Sequence, residues 1–480
     1  MVSSDIHELL KHPIAWENWQ SDTTTRRLLR GLQANILKGH GREHTRNIFL
    51  SFASADTPAL CTVIRRLGRS MPSALDQLQA SERFKLTGES GGPVLCFFLR
   101  PSGYAALGVP GSAPEASDFL EGMQVRGPDS EASPPISDPA VEDWDLPFQN
   151  TIDAMLLVAG TDDIEADVTA GLWIDRLTDA GATVLTIEHG LAIKRKVAEK
   201  FEGVEHFGYV DGRSQPLFLA EDVEREARSH WDPAFPPSQF LVKDPGDDGA
   251  TSFGSYFVFR KLEQNVQGFH DQEDALSAAL GLAGGPFESR AGALLVGRFE
   301  DGTPVVLNPL PTDMPPVNDF DYRSDEPGSR CPFISHVRKT NPRGESPFHL
   351  AKDLGFASTV RQERSHIMAR RGITYGARHY DDATNDFTDE PTGGVGLLFM
   401  AYMADIANQF EFTQATWANN ADFVTANTGA DPVIAQGPAE AAQIDDGWGG
   451  MGASFNLNRF VTMKGGEYFF APSREFLKAI

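Results

Sequence analysis

Apolar and polar residues along this chain switch between a period of two and a period of three to four. Asn47–Phe52 alternates well enough for a strand. Between residues 55 and 80 the spacing changes, and Leu60, Val63, Ile64 and Leu67 fall on one face of a helix. VLCFFLR at 94–100 is an apolar run, which suits a strand buried on both faces. PSGYAALG at 101–108 starts a short helix. Residues 110–150 are rich in Pro, Ser, Gly and Asp and read as a long surface loop. Asp153–Val158 is a third strand, 161–181 a helix and Thr183–Ile187 a fourth strand. The order β-α-β, loop, β-α-β is the ferredoxin-like pattern.

Glycines and a proline break this rhythm at 202–218, and residues 219–250 are acidic and irregular. Ser255–Gln264 opens a strand again, helical spacing follows near 270–282, and AGALLVGRF leads into GTPVVL. Residues 309–330 form a Pro/Asp-rich loop. Gly396–Ile406 is a late strand, and 407–418 reads as a helix with Phe410, Ala415 and Trp417 apolar. The second half therefore repeats the element order of the first, with longer insertions.

The 480 residues carry 67 acids and 42 bases, a net charge of -25. Such a balance argues against nucleic acid or an anionic membrane as partner. Three cysteines, Cys61, Cys96 and Cys331, form no CxxC or CxxCH, so a covalent c-type haem is not indicated. Cys61 and Cys96 lie in apolar runs and read as small buried hydrophobes. The first twenty residues lack a basic segment followed by an apolar one, and the longest apolar runs are too short to span a bilayer. The expected location is the cytoplasm.

Against the acidic background, CPFISHVRKTNPR at 331–343 stands out. His336 follows Pro332, Phe333 and Ile334, and Arg338, Lys339 and Arg343 come after it. An imidazole beside apolar packing and fixed cations suits an anionic cofactor that carries a metal. It also suits a histidine capping a turn before Asn341-Pro342. In GYVDGRSQP, Asp211 sits between glycines that let a flat ligand approach, or in a simple DG turn. In HIMARRGITYG, adjacent Arg370 and Arg371 on a strand face opposite ways, one toward a pocket or both on a solvated edge.

Taken in order, Gly208-x-x-Asp211-Gly212, CPFISHVRKTNPR, MARRGITYG, GLLFMAY, FTQATWANN and GADPVIAQ resemble the dye-decolorizing peroxidase family. LQANILKGHGR matches the family's opening segment, so the resemblance runs from about Gly31 to Leu477. The insertions look most like the larger fungal-type and related bacterial members. The resemblance implies an α+β fold of two ferredoxin-like halves, 1–205 and 206–480. Each is an antiparallel sheet with peripheral helices, and one non-covalent haem b is held mainly by the C-terminal half. It implies His336 as the proximal iron ligand and Asp431 as the acid that takes the other ring N–H. Asp211 is the implied distal acid, and Arg370 the distal arginine, with Arg371 one place away as the alternative. Leu397 and Phe399 match apolar residues of the distal pocket, and Arg338 a propionate partner. Trp417 and Tyr375 fall near positions that relay electrons to an exposed surface.

The implied reaction reduces hydrogen peroxide and oxidises dyes, phenols and other aromatic one-electron donors. Aspartate has a lower reference pKa than histidine, so acid-shifted activity is expected. An oligomer is compatible with all of this. A haem carrier on the same fold would share His336 but would not need Asp211 and Arg370. A haem-free binding module is a further alternative. A hydrolase lacks its motifs, since neither GxSxG nor HExxH occurs. His206 and His366 rank behind His336 as iron ligands, and His40 and His44 read as surface loop residues.

Overall fold

The computed structural model describes residues 5–128, 135–346 and 360–480. Residues 129–134 of the expected 110–150 loop lie outside the described residues.

Eight strands carry the fold. They are β1 (His44–Ser51), β2 (Val94–Leu99), β3 (Ala154–Gly160), β4 (Thr183–Leu191), β5 (Phe253–Gln264), β6 (Ile373–Tyr375), β7 (Gly396–Met403) and β8 (Val461–Ala471). They lie in one sheet in the order β6-β7-β5-β8-β2-β3-β1-β4, with two short strands, Val242–Lys243 and Ala369–Arg370, pairing onto β5 and β7. The first four strands follow the ferredoxin-like order β2-β3-β1-β4, and the last four repeat it as β6-β7-β5-β8. Every pairing is antiparallel.

The halves join where β8 meets β2, at the pair Phe470 and Leu99. The two outer ends of the sheet also meet. The Ile193 N–H donates to Thr374 Oγ1 at 3.2 Å, and the Thr374 hydroxyl donates to the Leu191 carbonyl. A twisted sheet of this length curls, and here its edges pair through a side chain rather than staying open. Aromatic packing ties the halves together from inside. Phe98 of β2 stacks on Phe257 of β5 with centroids 4.1 Å apart, and Phe49 of β1 meets Phe259 edge-on at 4.7 Å. Each such ring contributes on the order of 1.5–3 kcal/mol by leaving water.

Several elements differ from the sequence reading. The helical stretch at 55–80 is two helices, α1 (Thr57–Ser70) and α2 (Ala74–Thr87). The chain breaks at Pro72, and Ser73 with Asp76 starts the second helix by a reciprocal capping box. The 110–150 segment is not a plain surface loop. It buries Phe119, Met123, Trp144 and Phe148 in the core and pairs Asp138 with the buried Arg260 at 2.5 Å. Its apolar residues are spaced irregularly, so no period shows. Residues 407–418 form two wide π-helical turns, Ala407–Glu411 and Thr413–Ala418, rather than an α-helix. Strand β8 was not expected. Its register shifts between Met463 and Gly465, and Gly465 holds φ at +143° against the Phe148 ring. That bulge interrupts the alternation that would mark a strand. Among the described residues no helix is long and apolar enough to cross a membrane.

Candidate active site

The second half of the sheet forms the floor of a cavity of about 700 Å³. On β5, Arg260, Leu262 and Gln264 point the same way, as residues two apart on a strand must. On β7, Leu397 and Phe399 lie directly opposite Leu262 and Arg260 and line the same cavity. Val337 and Val433 add apolar wall.

His336 enters the cavity from the short helix α3 (His336–Thr340). Neighbouring polar contacts fix that helix on three sides. The Ser335 hydroxyl donates to the Leu294 carbonyl. Lys339 Nζ donates to the carbonyls of Trp417 at 3.1 Å and Asn420 at 2.7 Å. The Arg338 guanidinium, fully buried, binds Asp325 at 3.0 Å and also Glu345. With the helix so held, His336 Nδ1 lies 2.9 Å from Asp431 Oδ2, and Nε2 is the nitrogen left for a ligand. Asp431 is itself buried, and its Oδ1 accepts the amides of Val433 at 2.8 Å and Ile434 at 3.0 Å. Burial alone would raise the Asp431 pKa. The charge and hydrogen bond of His336, with those two amides, outweigh it and hold the carboxyl below its ordinary value. A carboxylate in this place fixes the ring orientation and makes the imidazole a stronger donor to a metal.

Asp211 and Arg370 line the same cavity, with Arg370 Nη1 3.8 Å from Asp211 Oδ1. The two motifs are bound to each other. The Arg370 amide donates to Gln215 Oε1 at 3.1 Å, and its Nη2 to the Arg213 carbonyl at 2.9 Å. Arg371, one residue past the short strand Ala369–Arg370, also lines the cavity rather than facing away from it, and it donates to the carbonyls of Asn35 at 2.8 Å and Ile36 at 2.9 Å. Burial pushes its pKa down to about 10.

Some expected site residues are placed elsewhere. Arg338 does not line the cavity, because two buried carboxylates of the protein already hold it. Arg343 is likewise committed, to the carbonyls of Asn318 at 2.6 Å and Phe320 at 2.8 Å. The cations after His336 thus brace the fold. Trp417 and Tyr375 are 4% and 8% exposed and do not line the cavity, so neither ring presents a surface to a bulky donor. Trp417 packs edge-on to His366 at 5.3 Å, and His366 does line the cavity. His366 Nδ1 bonds the Asn408 carbonyl at 2.6 Å, without the carboxylate partner that His336 has. His206 is buried against the Tyr375 carbonyl at 2.8 Å. His40 is a wall residue of the cavity, not a surface loop residue, and burial pushes its pKa down to about 4.

The sequence reading did not single out Arg298. Arg298, in AGALLVGRF, is buried and lines the cavity. It donates to the carbonyls of Gly302 at 2.7 Å and Val317 at 2.8 Å. Among the described residues no carboxylate pairs with Arg298 or Arg371. A glycine followed by an arginine at the end of an apolar helix was its only signal. Apolar walls, an imidazole backed by a carboxylate and guanidinium groups without acid partners fit a flat, iron-bearing, anionic porphyrin.

The chain is 43% identical to the multifunctional dye peroxidase DyP2 of an Amycolatopsis species, over 98% of this chain and 99% of that protein. It is 31% identical to a dye-decolorizing peroxidase of Mycena epipterygia over 79% of this chain and 74% of the other. Among solved structures, a DyP-type peroxidase from Anabaena superposes with a TM-score of 0.88 at 37% identity, covering 99% of both chains. The Amycolatopsis DyP2 structure superposes with a TM-score of 0.88 at 41% identity, covering 98% of this chain and all of that one. No family model matches the chain.

Proposed function

The chain belongs to the dye-decolorizing peroxidase family and is a hydrogen peroxide-dependent oxidoreductase. From that premise we propose that its cavity holds one non-covalent haem b, that His336 ligates the iron, and that Asp211 and Arg370 perform the peroxide chemistry. Dyes, phenols and other aromatic one-electron donors are its reducing substrates. A related dye-decolorizing peroxidase has been solved with 2,6-dimethoxyphenol.

His336 Nε2 would hold the iron, and Arg298, Arg370 and Arg371 supply positive charge for the propionates. When bound, haem supplies the metal that activates peroxide and stores the two oxidising equivalents. The protein's own work is proton handling and charge. Asp211 accepts a proton from one peroxide oxygen and returns it to the other as that oxygen leaves as water. Arg370 keeps its charge throughout and stabilises the negative charge that develops while the O–O bond breaks. Asp431 steadies the His336 ring through Nδ1. Leu397 and Phe399 keep the cavity floor apolar, which strengthens these charge interactions. Trp417, edge-on to the stacked rings of His366 and Phe412, is an interior step for electrons travelling from a remote donor to the cavity.

The observation that carries this reading is the meeting of two separate pairs, His336–Asp431 and Asp211–Arg370, in one cavity. The absorption spectrum of the purified protein, taken with and without peroxide, tests it. A Soret band that shifts within milliseconds of mixing supports the enzyme. The Asp211→Asn variant should slow that shift by about 100-fold or more. An unchanged rate would leave a haem carrier as the better description.

A further inference from the structure

The turn that presents Asp211 is built around a carboxylate the peroxide chemistry does not use. The chain enters and leaves this turn as an antiparallel bridge between Val204 and Val210, and the Asp211 amide donates to the Gly203 carbonyl at 3.0 Å. Inside the turn, the Glu205 amide donates to the Tyr209 carbonyl at 3.0 Å, and the Gly208 amide to the Glu205 carbonyl at 2.9 Å. The Glu205 side chain then folds back over its own turn. Its Oε2 accepts the Phe207 amide at 2.9 Å and its Oε1 the Tyr209 amide at 3.0 Å. A third donor comes from the cavity floor, where Gln264 Nε2 reaches Oε2 at 2.5 Å.

We propose that Glu205 is the positioning residue of the distal acid, clamping the turn that carries Asp211 onto β5 through Gln264. This inference rests on the assignment of Asp211 above. The geometry gives the clamp its purpose. Gln264 lies on the cavity face of β5, two residues from Leu262, so the bond ties the height of Asp211 above the floor to a rigid strand. Without the carboxylate, the Phe207 and Tyr209 amides lose their acceptor and the turn loses its tie to β5, keeping only the bond from His206 to the Tyr375 carbonyl as a side-chain link to the sheet among the described residues. An acid displaced by a fraction of an ångström transfers protons poorly, because the transfer falls steeply with distance. Burial pushes the Glu205 pKa up to about 7, partly offset by the Phe207 amide, Gln264 and the Tyr209 amide.

Cyanide association with the ferric holoenzyme, followed by stopped flow at neutral pH, tests the proposal. Hydrogen cyanide must lose its proton on binding, so the rate reads the proton acceptor without any turnover. We expect Glu205→Ala to slow association by about 10–100-fold, in parallel with Asp211→Asn, with haem content per chain and KM for the aromatic donor unchanged. Glu205→Gln, which keeps one acceptor oxygen, should fall between the alanine variant and the parent. A parental rate in Glu205→Ala while Asp211→Asn is slow overturns the positioning role alone. A parental rate in Asp211→Asn overturns the distal assignment beneath it. If Glu205→Ala does not fold, Gln264→Leu decides. That variant leaves the turn's own hydrogen bonds intact but removes its tie to the floor, so association should slow by about threefold or more. A parental rate there overturns the clamp.

Discussion

His336 Nδ1 and the buried Asp431 Oδ2 lie 2.9 Å apart, joining segments 95 residues distant in the chain. The carboxylate is kept ionised by the partners it holds, so it is a fixed negative charge behind the imidazole. Asp431→Asn removes that charge and keeps an oxygen for the two amides. Peroxide reactivity or haem affinity should fall by about 10–100-fold, and the iron reduction potential should rise. Potentiometric titration beside stopped-flow kinetics checks both. An unaltered potential would show that Asp431 does not tune the ring.

Arg370 and Arg371 separate by what they touch. Arg370 stands 3.8 Å from Asp211, whereas Arg371 is bonded to the carbonyls of Asn35 and Ile36. Arg370→Leu should slow the peroxide reaction by about 100-fold or more with little change in thermal midpoint. Arg371→Leu should lower the midpoint, since it strips buried carbonyls of their donor, and weaken haem binding, while sparing the peroxide rate per bound haem. Stopped-flow rates and calorimetry on both variants distinguish the roles, and the reverse pattern would exchange the assignments.

Arg338 is locked between Asp325 and Glu345. Arg338→Met should cost about 3–5 kcal/mol of stability in the haem-free protein, because it removes the cation from a buried ion cluster. Denaturant unfolding of the apoprotein measures this. Unchanged apoprotein stability with weakened haem binding would return Arg338 to the role of propionate partner.

Glu273 gives a pH dependence with a definite sign. Burial pushes its pKa from the ordinary 4.5 up to about 8, against the lowering effects of the Tyr209 hydroxyl and His270. A carboxyl raised by folding favours the native state below its unfolded pKa, and that contribution is lost as pH rises through the folded value. Glu273→Gln, which keeps the oxygen that Tyr209 donates to, should gain nothing near pH 4.5. Its advantage should grow up to about pH 8 and then level off. Thermal midpoints across that range report it, and a constant difference would place the pKa elsewhere.

How much of this could be read beforehand follows from what each signal depends on. The first ferredoxin-like half was legible because β1 and α1 carry readable periods and β2 and β3 are short apolar runs bounded by polar residues. Strand β8 was not, because Gly465 holds a bulge against Phe148, and β6 has only three residues in which to show a pattern. His336 stood out by its local setting, but the cations after it were misread. Which anion an arginine meets depends on residues such as Asp325 and Glu345 that only the fold brings close. Asp431 became legible through family resemblance, since no local pattern connects GADPVIAQ to a histidine so far away. Arg298 carried almost no signal, because its importance comes from the acid partner it lacks. The burial of Trp417 and Tyr375 was not legible, because burial is a property of the assembled core and not of their motifs.

The central claim is an iron bond to His336, and titration of haem into the haem-free His336→Ala variant tests it most directly. The account predicts that the variant folds, binds haem weakly and loses the spectrum of histidine-ligated ferric iron, with added imidazole restoring that spectrum. A full complement of tightly held haem with the parental spectrum in His336→Ala would contradict it.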